Sequence, residues 1–449
     1  MIHIKRFQGS LIILTIRSVN YIVPPPSARM ARRLEAGKPA PRPEMDPLEE
    51  RYMDTTARLR PVLRAAALAF ASLALAPFAP LAAAPALAAD PIKIGSVVSA
   101  TGPSAFLGDP EARTLKLYVE ELNKKGGLLG RPVELVLYDD GGDANKARTF
   151  ATRLVEDDKV VAMVGGTSTG ATMAMIPVFE EAGIPFVSLA GGIEIIEPVR
   201  PFVFKTPHTD KTACSKIFED MKARGITRIG MISGTDGFGK SMRNQCLKVV
   251  GGYGITVLAD ETYGATDSDM TPQLNKIKNT AGVEAVLNPG FGQGPAIVTR
   301  NYAQLGLKLP LYQSHGVASK SFIELAGPAA EGVRLPAPAI LVGDKLATDD
   351  PQKAVVAGYK ASYEKATGQS VSTFGGYGFD GIQLVTQAID KARSAEPKTI
   401  RDALEATRSY VGVTGIYSFS PTDHLGLGTD SFRMLEIRGG DWTLDAPTR

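Results

Sequence analysis

VVAMVGGTSTGATMAMIPVFEEAGIPFVS, residues 160–188, reads as strand, helix, strand. Its first run is short and apolar. The helix opens at Thr169 behind Ser168, a residue type that caps helices, and Gly183 supplies the stop before a second apolar run, IPFVSLA at 184–190. A helix set between two such strands is the repeating unit of a parallel sheet covered on both faces.

The same alternation spreads outward in both directions. IKIGSVV (92–98) and VELVLYD (133–139) precede it, with helices expected from near Asp109 and Ala144 and a stop at Gly126-Gly127. A second series follows in RIGMIS (228–233), ITVLADE (255–261), VEAVLNP (283–289) and LPLYQS (309–314), with helices from near Asp210, Gly239, Asp269 and Gly294. Between the two series, FVFKTPHTD (202–210) places Pro207 after a short apolar run and before a capped helix, which marks a crossover. Past EGVRLPAPAIL the pattern is helical from Pro351 to Thr407 and ends in hairpin-like strands around GIYSFS and FRMLEIR, so the chain is expected to return to its first half. The expected fold is α/β, with two doubly wound lobes joined by several crossovers, a hinge and a cleft between them. Residues 89–207 and 339–415 are assigned to the N-lobe, and 208–338 and 416–449 to the C-lobe.

Composition sets the class. With 449 residues, 22% charged and 44% hydrophobic, the chain is long enough for two separate cores. The net charge is only +3, and the basic surplus lies before Arg64, so no nucleic-acid partner is expected. Arg58, Arg60 and Arg64, then AAALAFASLALA, then Ala86-Leu87-Ala88 read as a secretory signal over 53–88 with processing before Ala89, which implies a periplasmic protein. Residues 1–52, with Pro24-Pro25-Pro26, show no sustained apolar period and are expected to be a disordered extension or to precede the true start. The two cysteines, Cys214 and Cys246, fall in expected helices. Buried thiols are preferred over a disulfide, which would need those helices to be neighbours with Cα atoms within ~7 Å.

Gly166-Thr167-Ser168-Thr169-Gly170 has the G-x-S-x-G form of a hydrolase nucleophile elbow, and His424 with Asp344 or Asp380 follows in triad order. Small hydroxyl residues at a helix start also cap it and turn its free N–H groups toward an anion. The anion-binding reading is preferred, with a plain cap and a nucleophile as the alternatives. SATGPSAFLGD, after the first strand, is too long and wrongly spaced for a dinucleotide fingerprint. His3, His208, His315 and His424 are far apart and no Cys-x-x-Cys occurs, so neither metal nor cofactor is expected. Asp139-Asp140 and Asp157-Asp158 read as solvated or capping carboxylates.

In IKIGSVVSATGPSAFLGD, ELNKKGGLLGRPVELVLYDD, VVAMVGGTSTGATMAMIPVFEEAGIPFVS and YAQLGLKLPLYQSHGVAS, taken in that order, the chain resembles the branched-chain amino-acid-binding (leucine, isoleucine, valine) family of periplasmic receptors over residues 90–445. The resemblance implies a class-one periplasmic binding fold and a monomeric, non-enzymatic receptor that hands a small ligand to ABC permease subunits in the membrane. It also implies site residues. The family's carboxylate-binding hydroxyl falls on Thr169, with Ser168 beside it, and its next ligand loop on Ala190, Gly191 and Gly192. Gly192 stands where a Thr or Ser is common, which leaves backbone amides there. Positions often held by tyrosine match Phe238 and Phe291, and the ammonium-binding acid falls on His315.

A histidine cannot supply that negative charge, so an α-amino acid would bury its ammonium unpaired unless another acid such as Asp236 stood in. The expected ligand is therefore an apolar or aromatic carboxylate. Its charged end would sit at Thr169, its body between Phe238, Phe291, Leu107 and Phe374, and a distal oxygen at His315. The alternatives are an amino-acid-binding protein of the same type, a ligand sensor without a transporter, and a secreted serine hydrolase using Ser168.

Overall fold

The structure, a computed structural model, describes residues 90–444. The extension, signal and processing site expected over 1–88 lie outside the described residues, as does the end of the chain from 445.

The first sheet is wholly parallel. It holds β1 (Ile92–Val98), β2 (Val133–Asp139), β3 (Ala162–Gly165), β4 (Phe186–Ser188) and β5 (Val203–Lys205), in the order β2-β1-β3-β4-β5. Its crossovers carry α1 (Ala105–Lys124), α2 (Ala144–Arg153) and α3 (Thr169–Ala182). The pleat sends successive side chains to opposite faces, and the cores follow it. Val164, Val187 and Phe204 enter one apolar cluster, while Met163, Phe186 and Val203 enter another on the other side. Burial on both faces is why these strands read as unbroken apolar runs.

The second sheet repeats the arrangement. It contains β6 (Arg228–Gly234), β7 (Thr256–Tyr263), β8 (Ala285–Asn288), β9 (Leu311–Gln313) and β10 (Arg334–Ala337), served by α4 (Asp210–Ala223), α5 (Gly237–Val249), α6 (Thr271–Asn279), α7 (Gly294–Gln304) and α8 (Lys320–Ala326). Again the pleat divides the core, with Met231, Leu287 and Tyr312 on one side and Ile232, Val286 and Leu311 on the other. Two helices begin earlier than expected. α1 starts at Ala105 and carries Pro110 within it, and α5 starts at Gly237 because the Asp236 carboxylate caps the amides of Phe238 and Gly239.

The long helical return comprises α9 (Gln352–Thr367), α10 (Thr373–Ala392) and α11 (Pro397–Glu405), and α10 packs on α1 and β3 of the first lobe. The short hairpin β11 (Tyr410–Val411) and β12 (Ile416–Tyr417) follows. β13 (Arg433–Arg438) and β14 (Asp441–Leu444) then extend the second sheet antiparallel, giving the order β14-β13-β10-β9-β8-β6-β7. Residues 416–427 differ from their expected place in the C-lobe. Tyr417 and Phe419 are buried in the first-lobe core, and Leu425 and Leu427 pack there too, so the chain crosses back only near 428–432.

The thiol reading is also corrected. α4 and α5 lie side by side, which brings Cys214 and Cys246 to a Cα separation of 5.1 Å, and the two form a disulfide. An exported protein permits that bond.

Candidate functional site

The loops at the carboxyl ends of β3, β4 and β5 in the first sheet and of β6, β8 and β9 in the second line one cleft, the usual ligand position in open α/β sheets. On the first lobe, β3 delivers the start of α3. Ser168 Oγ accepts from Ala171 N (3.1 Å) and its carbonyl accepts from Thr172 N (2.9 Å), which leaves the Thr169 and Gly170 amides of the first turn without partners in the protein. Thr167 fastens the loop from behind, donating to Glu111 Oε2 (2.5 Å) and accepting from Ser99 N (2.9 Å). Thr169 Oγ1 accepts from Gly192 N (3.2 Å), so its hydroxyl hydrogen remains free to donate.

The second lobe contributes rings. Asp236 Oδ1 accepts from the amides of Phe238 (2.9 Å) and Gly239 (3.0 Å), which fixes Phe238 at the start of α5. Phe238 meets Phe291 edge-on at 5.9 Å and His315 at 5.3 Å between ring centres. The loop after β9 is tied to the loop after β8 through Ser314, whose hydroxyl donates to the Gly290 carbonyl and accepts from Gly316 N.

Leu107, Ser168, Thr169, Phe238, Phe291, His315 and Phe374 meet around one pocket between the lobes. Ala190 and Gly192 do not line it, contrary to expectation. Ala190 is buried in the core and its N–H donates to Ser188 Oγ (3.1 Å), while Gly192 spends its amide on Thr169 and its carbonyl on Lys205 Nζ (3.2 Å). The residue between them, Gly191, forms the wall and has an unbonded N–H. Tyr377, also on the wall, was missed. Its signal was its position three residues after Phe374, on the same face of α10.

Among the described residues, no aspartate, glutamate, lysine or arginine lines this pocket, and its one imidazole, His315, is fully enclosed. Burial, reinforced by the nearby Lys205 charge, pushes the His315 imidazole down to about 3, so it is neutral at physiological pH. NMR of the His315 ring is expected to show no titration between pH 5 and 8. A midpoint near 6.5 would place a cation in the cleft and overturn the neutral assignment.

The acids nearby are otherwise engaged. Asp236 lines an adjoining chamber that shares Ser168, Phe238 and Phe291 with the inner pocket. Glu194 and Asp210 sit behind the wall, where the Ser241 hydroxyl contacts both carboxylates. The triad does not assemble. His424 Nδ1 bonds the Val203 carbonyl (2.8 Å), Asp380 accepts from Val413 N and Thr414 N (2.8 and 2.9 Å), and Asp344 is paired with Lys360 (2.7 Å).

Known proteins share this two-lobed fold. A family described as "Periplasmic binding protein" matches residues 91–441. The chain belongs to this family. It is 28% identical over 343 residues to the leucine-, isoleucine-, valine-, threonine- and alanine-binding protein of Pseudomonas aeruginosa, covering 75% of this chain and 87% of that one. Among solved structures, an extracellular ligand-binding receptor from Rhodopseudomonas palustris HaA2 superposes with a TM-score of 0.75 at 27% identity, over 79% of this chain and all of that one. The isoleucine complex of the branched-chain amino acid transporter substrate-binding protein LivJ from Streptococcus pneumoniae shares the fold, with a TM-score of 0.70 at 24% identity over 79% of this chain and 98% of that one. This family of extracytoplasmic solute-binding proteins supplies the class-one, two-lobed architecture and is not enzymatic. Among the described residues, no helix is long and apolar enough to cross a membrane.

Proposed function

We propose that this protein is the periplasmic solute receptor of an ABC importer and that its ligand is a small apolar or aromatic monocarboxylate. One observation carries the ligand class: the inner pocket has no charged side chain on its wall, only a neutral histidine. An α-amino acid entering it would bury an ammonium group without an anionic partner, a cost of several kcal/mol. A carboxylate alone fares better. The positive end of α3, its two free amides, the Gly191 N–H and the Thr169 hydroxyl all favour negative charge. Phe238, Phe291, Phe374 and Leu107 then enclose an apolar body.

The named relatives favour the second reading, a branched-chain amino-acid receptor. A thermal-shift panel separates the two, since a ligand at a hundredfold excess over its Kd stabilises the native state by ~2.7 kcal/mol. Benzoate-like and aliphatic monocarboxylates are expected to raise the melting temperature by several degrees and leucine, isoleucine and valine by less. If only α-amino acids shift it, the carboxylate reading is wrong.

A further inference from the structure

Behind the pocket wall, where the two lobes meet, one hydroxyl faces two acids. Ser241, on α5 of the second lobe, places its Oγ 2.5 Å from Oε2 of Glu194, in the first-lobe loop after β4, and in contact with Oδ2 of Asp210, the first residue of α4. A serine hydroxyl carries a single hydrogen, so it can donate to only one of them. The other carboxyl keeps this contact by carrying a proton of its own and donating it to Ser241 Oγ. Ser241 and Asp210 are both buried, which withholds water as a substitute donor. The closed arrangement therefore holds one proton on the pair of acids.

Asp210 is fixed for this contact. Its Oδ1 accepts from the amides of Ile193 (3.2 Å) and Lys211 (2.8 Å), and its own amide donates to the Gly191 carbonyl (3.0 Å), so Oδ2 is left for Ser241. Burial lifts the Asp210 carboxyl to about 6 against the opposing effects of Ser241 and Lys205, so it holds a proton where a solvated aspartate is ionised. The other charged group facing the pair is Lys205, and the imidazoles beyond it, His208 and His315, are kept neutral by burial. One loop joins this cluster to the pocket. Gly191 forms the pocket wall, Gly192 donates to Thr169 Oγ1, and a Cβ on Gly192 would stand 2.9 Å from Glu194 Oε2. When the lobes part, Ser241 withdraws with α5 and water reaches the acids, and solvated carboxyls release their proton well below neutrality.

Resting on the receptor reading above but not on the class of the ligand, we propose that Glu194, Ser241 and Asp210 form an interlobe latch that binds one proton, so that closure on the ligand takes up a proton and opening releases it. A group protonated in the closed form and ionised in the open form favours closure at low pH, and that advantage is lost as pH rises through about 6. Mild acidity then holds the ligand and neutrality loosens it.

The test is calorimetric titration with leucine and with benzoate at pH 5 and 7, in buffers of low and high ionisation enthalpy, which reads affinity and proton uptake together. The wild type is expected to bind about 5- to 10-fold more weakly at pH 7 than at pH 5, and to take up more than about half a proton per ligand at pH 5. In Glu194→Gln the amide supplies the second donor without a proton, so uptake should vanish and the two affinities should agree within about 2-fold. Ser241→Ala removes the bridge and should bind at pH 5 no better than the wild type does at pH 7. A hydrogen bond with a merely structural role would leave the wild-type pH profile in place in both variants, and that result overturns the latch. So does a wild-type affinity that is independent of pH with no proton uptake, which leaves the receptor reading intact. If neither compound binds, small-angle scattering of the unliganded protein decides, and a wild type no more compact at pH 5 than at pH 7 overturns the latch. The receptor reading fails separately, on a thermal-shift panel in which no solute moves the melting temperature.

Discussion

Gly191→Ala is expected to weaken ligand binding by about 10- to 100-fold while barely changing the melting temperature of the unliganded protein. Gly191 lies on the first-lobe loop after β4, and a Cβ built there would stand 2.8 Å from the Phe238 ring and 2.9 Å from His315 Nε2. Both neighbours belong to the second lobe, and neither is the free end of a flexible chain. Phe238 is pinned by Phe291 and by the capped start of α5. The added methyl therefore acts as a wedge between closed lobes, and overpacking of this kind costs about 1–3 kcal/mol. In an open form the contact does not exist, so the cost falls on closure and on the ligand that depends on it. Gly237→Ala gives a graded comparison, since its Cβ would stand 3.2 Å from the Gly170 amide across the same cleft and should cost less. Calorimetry and small-angle scattering, with and without ligand, read both effects. Unchanged affinity and normal compaction in Gly191→Ala would mean that the lobes do not close along this seam.

The strength of the sequence signal decided which features could be read without the structure. Strands such as VVAMVGG and VEAVLNP are buried on both faces and therefore leave long apolar runs, so the two-lobed α/β reading holds. Thr169, Phe238 and His315 each sit at a fixed step beyond a strand end, and the structure brings all three to one pocket. Three features had weaker signals. In the loop after β4, alternate residues face opposite ways, so of Ala190, Gly191 and Gly192 only the middle one reaches the pocket wall while the amides on either side turn inward. The Cys214–Cys246 bond depends on which helices are neighbours, a property of the fold rather than of the 32-residue separation. Residues 416–427 return to the first core through Tyr417 and Phe419, two aromatics whose spacing resembles that of any short strand.

Lys205→Met is expected to destabilise the protein by ~1–3 kcal/mol at pH 6.5, the cost of leaving buried polar groups without the partner that satisfied them. Lys205 is fully enclosed, with Nζ on the Gly192 carbonyl and the Asp210 and Glu194 carboxylates acting on its charge. Burial pushes Asp210 up from 3.8 to about 6 and Lys205 down from 10.5 to about 7. Between pH 3.8 and about 6 the folded protein therefore holds more protons at Asp210 than the unfolded chain does, and stability from this group falls as pH rises. Between about 7 and 10.5 the unfolded chain holds the extra proton at Lys205, and stability rises with pH. The cluster is thus at its weakest between pH 6 and 7, where both groups are ionised and each depends most on the other. Methionine there removes the cation that lowers the Asp210 pKa, so the buried carboxyl takes up a proton, and the variant should also lose the rise in stability above pH 7. The double variant Lys205→Met/Asp210→Asn removes both charges and is expected to recover most of the loss, because desolvating a pair costs as much as its attraction returns. Urea unfolding from pH 5 to 9 measures all three proteins. A loss below about 1 kcal/mol for Lys205→Met at pH 6.5, the range of a solvent-exposed pair, would show that the cluster is hydrated rather than enclosed.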